Sequence, residues 1–143
     1  MAGEDEWHLI LNTDELAAVP SKPTMKVLQI ESTDILLMMG HGKYYALDAR
    51  CGHRGGPLHE GDLEDLGSTG SSLGLCVRCP WHGRRFQAET GIEVGKDDVL
   101  LAPMQRCHEL RLDGRGLHVR LTNEGHYASE RQSKRKQKRQ PKN

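Results

Sequence analysis

The sequence predicts an all-β fold: an antiparallel, sandwich-like base with a loop-rich segment inserted between its strands at about residues 49–95. Two observations carry this. Short β-favourable runs in the first third and the last third are separated by turn-like clusters, too close together for crossover helices. Between them the composition changes: glycine, proline, cysteine and histidine crowd in and apolar periodicity nearly vanishes.

Residues 7–11 are apolar-rich and read as a strand. Residues 12–19 fit one short helical turn with Thr13 as cap and Glu15 and Leu16 inside, ended by Pro20 and Pro23. Residues 25–30 and 35–39 are strand-like runs on either side of Glu31-Ser-Thr-Asp34, and residues 43–48 follow Gly40-His-Gly42 as the third strand of a meander. The shape of residues 49–95 is expected to come from something other than a hydrophobic core. Within it, residues 67–72 have the composition of a flexible surface loop. Strand character returns at 99–104, 109–112 and 117–121, the last two flanking a hairpin-like turn, Asp113-Gly-Arg-Gly116. The expected organisation is a short tail at 1–6, one domain at 7–123, and a polar tail at 124–143 that buries too little to fold.

Charge is distributed unevenly. From Ser129 onward there are seven basic residues and one acid, a net +6, against 13 basic and 19 acidic residues before it, a net −6. An acidic body is not built to bind nucleic acid. The run from Lys134 to Arg139 resembles a nuclear-import or polyanion-binding segment, and reads equally well as a solvated tail. No stretch approaches the roughly 18 apolar residues of a membrane span. The N-terminus opens with acids and lacks the basic and apolar regions of an export signal. Four cysteines in such a chain favour metal binding or free thiols over a disulfide framework, and the expected location is cytoplasmic, with nuclear import through the tail as a further possibility.

Two motifs carry chemistry: Cys51-Gly-His53 and Cys79-Pro-Trp-His82. Each offers one thiolate and one imidazole inside a glycine-rich loop. Soft sulfur suits the iron of a sulfide cluster, and neutral imidazole suits a second iron. A [2Fe–2S] centre held by Cys51, His53, Cys79 and His82, two cysteines on one iron and two histidines on the other, satisfies both motifs at once. Gly52, Gly55, Gly56 and Gly83 are expected to let backbone N–H groups approach the sulfides, and Pro57 and Pro80 to stiffen the loops. The competing reading is a structural zinc site, but zinc modules of this ligand type place cysteines in pairs and histidines in pairs.

These loops resemble the Rieske ferredoxin family. Cys51-Gly-His-Arg-Gly-Gly-Pro-Leu58 with Glu60-Gly-Asp62 is similar to the first cluster loop, and Cys79-Pro-Trp-His-Gly83 with Phe86 and Thr90-Gly91 to the second. The likeness runs over about residues 7–121 and is nearest to the soluble Rieske-domain proteins of animals. It implies a Rieske iron–sulfur fold with a cluster-binding subdomain at about 49–95. Respiratory members carry an additional cysteine in each loop; here Gly56 and Trp81 stand there, which implies no bridging disulfide. High-potential members place a serine and a tyrosine after the second histidine; here Arg84 and Phe86 stand there, which implies a potential near the low end, roughly −150 mV. The 25 residues between His53 and Cys79 exceed the family's usual spacer, a surplus explained by the Gly/Ser-rich insertion.

The remaining candidates have plainer expectations. Cys76, three residues before Cys79, reads as a buried thiol rather than half of a redox pair, and Cys107 as a core or surface thiol. His59 reads as a surface histidine; His8, His41, His108, His118 and His126 lack ligand spacing. Trp81 is expected to shield the cluster and pack against the opposite loop. The expected function is one-electron transfer between a flavin-type reductase and a downstream acceptor protein, with no catalysis by the chain alone. A small subunit of a multi-component reductase or oxygenase, or a redox- or iron-sensing module, is the alternative. Only 22 residues follow Leu121, too few for the mononuclear-iron domain of an oxygenase.

Overall fold

Antiparallel pairing organises the molecule into three sheets. The structure is a computed structural model and describes residues 6–52, 55–66 and 73–122. In the first sheet, β11 (Gly116–Arg120) lies between β1 (Trp7–Asn12) and β10 (Glu109–Asp113). The second is the expected meander of β2 (Thr24–Ile30), β3 (Thr33–Gly40) and β4 (Lys43–Asp48). The third runs in chain order through β5 (Asp62–Asp65), β6 (Leu75–Arg78), β7 (Arg85–Gln87), β8 (Ile92–Val94) and β9 (Leu100–Pro103). The all-β expectation is therefore met. Among the described residues no helix is long and apolar enough to cross a membrane.

Strand β3 explains how the layers join. Ile35, Leu36, Leu37 and Met38 are all fully buried, so this strand is covered on both faces and reads as a continuous apolar run. Successive side chains of a strand point to opposite faces. Leu36 and Met38 accordingly pack with Leu47, Leu58, Val77 and Phe86, while Leu37 and Met39 pack with Leu11 and Leu117.

Two local expectations change. The short helix α1 (Thr13–Ala17) is capped by Asn12, not Thr13. Asn12 keeps extended backbone, its Oδ1 accepts from Glu15 N–H, and Glu15 Oε1 accepts from Asn12 N–H, each at 2.8 Å, a reciprocal capping box. Thr13 is already helical. Strand β3 also starts at Thr33, two residues before the expected 35, because Glu31 in a left-handed conformation (φ 59°) makes the preceding turn tight.

The largest change concerns residues 49–95. This segment holds strands β5 to β8 and supplies Leu58, Leu75, Val77, Phe86 and Ala88 to a core cluster shared with the meander. Its shape does come from a hydrophobic core. Strands of three or four residues are too short to register as periodicity, which is why the pattern hid them. The sheet they form continues to Pro103. Residues 67–72 and the basic tail lie outside the described residues.

Candidate metal centre

The two cysteine motifs sit at the starts of two loops closed in the same way. In the first, which follows β4, Cys51 N–H donates to Gly56 O (2.8 Å) and Gly55 N–H to Cys51 O (2.7 Å). In the second, between β6 and β7, Cys79 N–H donates to Arg84 O (2.7 Å) and Gly83 N–H to Cys79 O (3.0 Å). Each cysteine thus bonds to the residue five ahead and is bonded by the residue four ahead. That fourth residue is a left-handed glycine in both loops, Gly55 at φ 78° and Gly83 at φ 73°, a conformation a side chain makes costly.

These bonds correct one expectation. Gly55 and Gly83 direct their N–H groups to cysteine carbonyls, and Gly52 N–H donates to Gln105 Oε1. The three glycines shape and anchor the turns rather than aim donors at sulfur. Gly56 has another role: a Cβ there would lie 2.8 Å from Cys79 Sγ and 3.1 Å from the Trp81 ring, so the loops meet where only backbone fits.

Cys51 and Cys79 are buried, 4 % and 2 % exposed, in one cluster with Leu58 and Phe86. His82 is exposed, and Trp81, 55 % exposed, leans on the first loop at Gly56. Trp81 therefore packs across the loops as expected while leaving half its surface to solvent. His53 lies outside the described residues, as does Arg54. The structure brings together Cys51, Cys79 and the base of the His82 loop.

Ion pairs flank the second loop. Arg78 donates from Nε to Glu64 (2.9 Å) and from Nη1 to Gly83 O (3.1 Å), tying the turn to β5. Arg84 places Nη1 3.1 Å from both oxygens of the buried Glu93. Phe86 is fully buried. Arg84 is thus engaged by Glu93 and Phe86 has no donor to offer.

The other thiols are of a different kind. Burial pushes the Cys76 thiol on β6 up to about 11, and burial with the Asp48 charge pushes Cys107 up to about 12. Raised values of this kind favour the protonated thiol at neutral pH. His59 is exposed, 3.8 Å from Glu60.

Sequence reasoning missed two buried residues that hydrogen-bond to the chain entering the first loop, Gln105 and His108. The ring of His108 accepts the Thr122 N–H at Nδ1 (3.1 Å), so its Nε2 carries the proton donated to Asp48 Oδ1 (2.8 Å). It ties the end of β4, just before the first loop, to the chain beyond β11. Neither residue sits in a motif, and spacing carries no signal for them.

The donor set fits an iron–sulfur cluster. Two buried thiols lie among apolar side chains, the first loop approaches Cys79 at Gly56 more closely than a Cβ would allow, and an imidazole-bearing loop lies at the surface. The Rieske [2Fe-2S] domain model matches residues 6–101, which include both loops. A human Rieske domain-containing protein is 31 % identical over 106 residues, covering 66 % of this chain and 64 % of its own, so the chain spans just under two thirds of that relative. Human apoptosis-inducing factor 3 is 37 % identical over 67 residues, 47 % of this chain and 10 % of that protein. Among solved structures, the ferredoxin of carbazole 1,9a-dioxygenase from Nocardioides aromaticivorans superposes with a TM-score of 0.61 at 21 % identity, over 81 % of this chain and 98 % of its own, a likeness of fold. With a family model spanning both loops and an architecture to match, the chain belongs to the Rieske [2Fe–2S] domain family.

Proposed function

We propose that this chain is an electron carrier that holds one [2Fe–2S] cluster through Cys51 and Cys79 sulfur and His53 and His82 nitrogen. In this reading it takes single electrons from a flavin-type reductase and passes them to a downstream acceptor protein. The observation that carries the reading is the equivalence of the two loops, each presenting a buried cysteine from the same hydrogen-bonded turn. When bound, the cluster supplies a one-electron couple. The chain's residues do the rest. Leu58 and Phe86 keep water from the sulfur side, and exposed His82 puts the histidine side within reach of a partner. The left-handed turns at Gly55 and Gly83 hold both loops in shape while charge changes.

The domain is proposed to span residues 7–123, with its cluster-binding part at about 49–95, flanked by tails at 1–6 and 124–143. A cytoplasmic location, with nuclear import through the basic tail, is part of the same proposal. The dioxygenase ferredoxin with this fold supports an oxygenase-type acceptor. With Arg84 paired to Glu93 and Phe86 apolar, neither of these two positions supplies a hydroxyl donor, and the potential is proposed near the family's low end, roughly −150 mV. A redox titration giving a strongly positive midpoint sinks that value.

The test is anaerobic purification followed by iron and sulfide analysis, visible absorption and low-temperature EPR. Two irons and two sulfides per chain, with an average g below that of all-cysteine clusters, are expected. A colourless protein with stoichiometric zinc, or full iron content in Cys79→Ser, overturns the proposal.

A further inference from the structure

The chain leaving β9 threads a narrow gap before it reaches β10. Met104 N–H and Gln105 N–H both donate to Gly91 O, at 3.3 and 3.1 Å. A Cβ on Gly91 would collide with Gln105 O, and a Cβ on Gly52 would collide with Met104 O. Backbone alone fills both sides of this peptide, which is wedged between the first loop and the turn before β8.

Past the wedge, the chain pairs with the end of β4. Asp48 N–H donates to Arg106 O (3.0 Å), Leu47 opposes Cys107, and His108 N–H donates to Ala46 O (2.9 Å). This backbone ladder stops at Asp48, three residues short of Cys51. There the Gln105 side chain takes over. Its Nε2 donates to Asp48 O (3.2 Å) and Arg50 O (2.9 Å), and its Oε1 accepts the Gly52 N–H. Carbonyls only accept and a peptide N–H only donates, so the orientation of this amide is unambiguous. Gln105 is 1 % exposed, and one buried amide serves three alternate residues along the entry to the first loop.

Resting on the reading above, we infer that Gln105 is a positioning residue for the metal centre: it fixes the peptides on both sides of Cys51 and so sets where that sulfur points. The second loop is braced differently, by the half-exposed, ion-paired Arg78 acting on Gly83 O. The two halves of the centre therefore differ in rigidity. A buried amide with all its partners satisfied holds the first loop in one place. A surface guanidinium, competing with water, holds the second more loosely.

The test compares Gln105→Met, which keeps the length and removes both donor and acceptor, with Gln105→Glu, which keeps an acceptor for Gly52 but faces oxygen to Asp48 O and Arg50 O. In the loaded protein, both are expected to shift the EPR g-values and midpoint potential and to release iron to a chelator about tenfold faster. In the metal-free protein, Gly52 amide exchange is expected to accelerate about tenfold in Gln105→Met and to stay slow in Gln105→Glu. If Gln105→Met does not fold, Gln105→Glu carries the same comparison of potential and iron release. Wild-type g-values, potential and iron release in the folded variants overturn the inference, as does unchanged Gly52 exchange in Gln105→Met. Failure of the wild type to hold iron would count against the cluster assignment instead, while Gly52 exchange in the metal-free chain would still judge Gln105.

Discussion

Adjacent glycines in the first loop are required for different reasons, and alanine substitution separates them. Gly55 sits at φ 78° with nothing within 4 Å of the position a methyl would take, so Gly55→Ala meets only backbone strain. That strain costs about 1–2 kcal/mol and applies equally with and without metal. Gly56 lies outside the left-handed region, but its Cβ would meet Cys79 Sγ at 2.8 Å and the Trp81 ring at 3.1–3.2 Å. In the metal-free protein Cys79 can rotate its short side chain away. Once the sulfur is committed to metal it cannot. The overpacking cost of about 1–3 kcal/mol therefore falls on the loaded form, which lowers cluster retention about 5- to 150-fold at 1.4 kcal/mol per tenfold. Chelator-driven iron release followed at the visible band measures the retention, and urea unfolding of the metal-free form measures the fold. Gly56→Ala should release iron faster with little change in urea midpoint; Gly55→Ala should lower the midpoint with little change in release relative to stability. If Gly56→Ala retains iron as the wild type does, the inferred contact between the loops is wrong.

Further outcomes follow from the same structure. Asn12→Ala should cost about 1 kcal/mol in a urea melt, the usual loss for a side-chain cap, with Thr13→Ala costing less; the reverse order would restore Thr13 as the cap. Native Cys76 and Cys107 should resist iodoacetamide at neutral pH and react in denaturant, which mass spectrometry reads directly. Their raised thiol pKa values have a linked effect on stability: it is fully present below the ordinary value of 9.0 and declines as pH rises from there toward about 11 and 12. A flat stability profile across that alkaline range would contradict their burial. Asp113 is held below its ordinary 3.8, first by the Arg115 N–H and then by His118. Its contribution is present above that value and fades as pH falls through the lowered one, so Asp113→Asn should flatten the acid limb of the stability curve.

The meander and the terminal hairpin were legible because each rests on short-range pattern. Residues 43–48 and the Asp113–Gly116 turn appear where their alternation and turn residues place them. The candidate ligands were legible for a related reason: a thiol and an imidazole two or three residues apart are a donor pair whose spacing is written locally. Asn12 was misread because a cap is decided by which of two neighbouring polar residues stays extended. Phe86, Leu75 and Val77 were passed over as core because three- and four-residue strands leave no period to detect.

What the sequence offered by itself is the candidate chemistry: two thiols and two imidazoles at ligand spacing, and the glycines of their loops. What only the tertiary structure decided is how those loops are held. Gln105 grips residues 53 to 57 positions away in the chain, and Gly56 admits Cys79 from a different strand connection. Such contacts depend on where three sheets bring separate backbones to within hydrogen-bond reach of one another. Local spacing encodes which donor types are offered, whereas the positions of Cys51 and Cys79 are set by packing between distant segments.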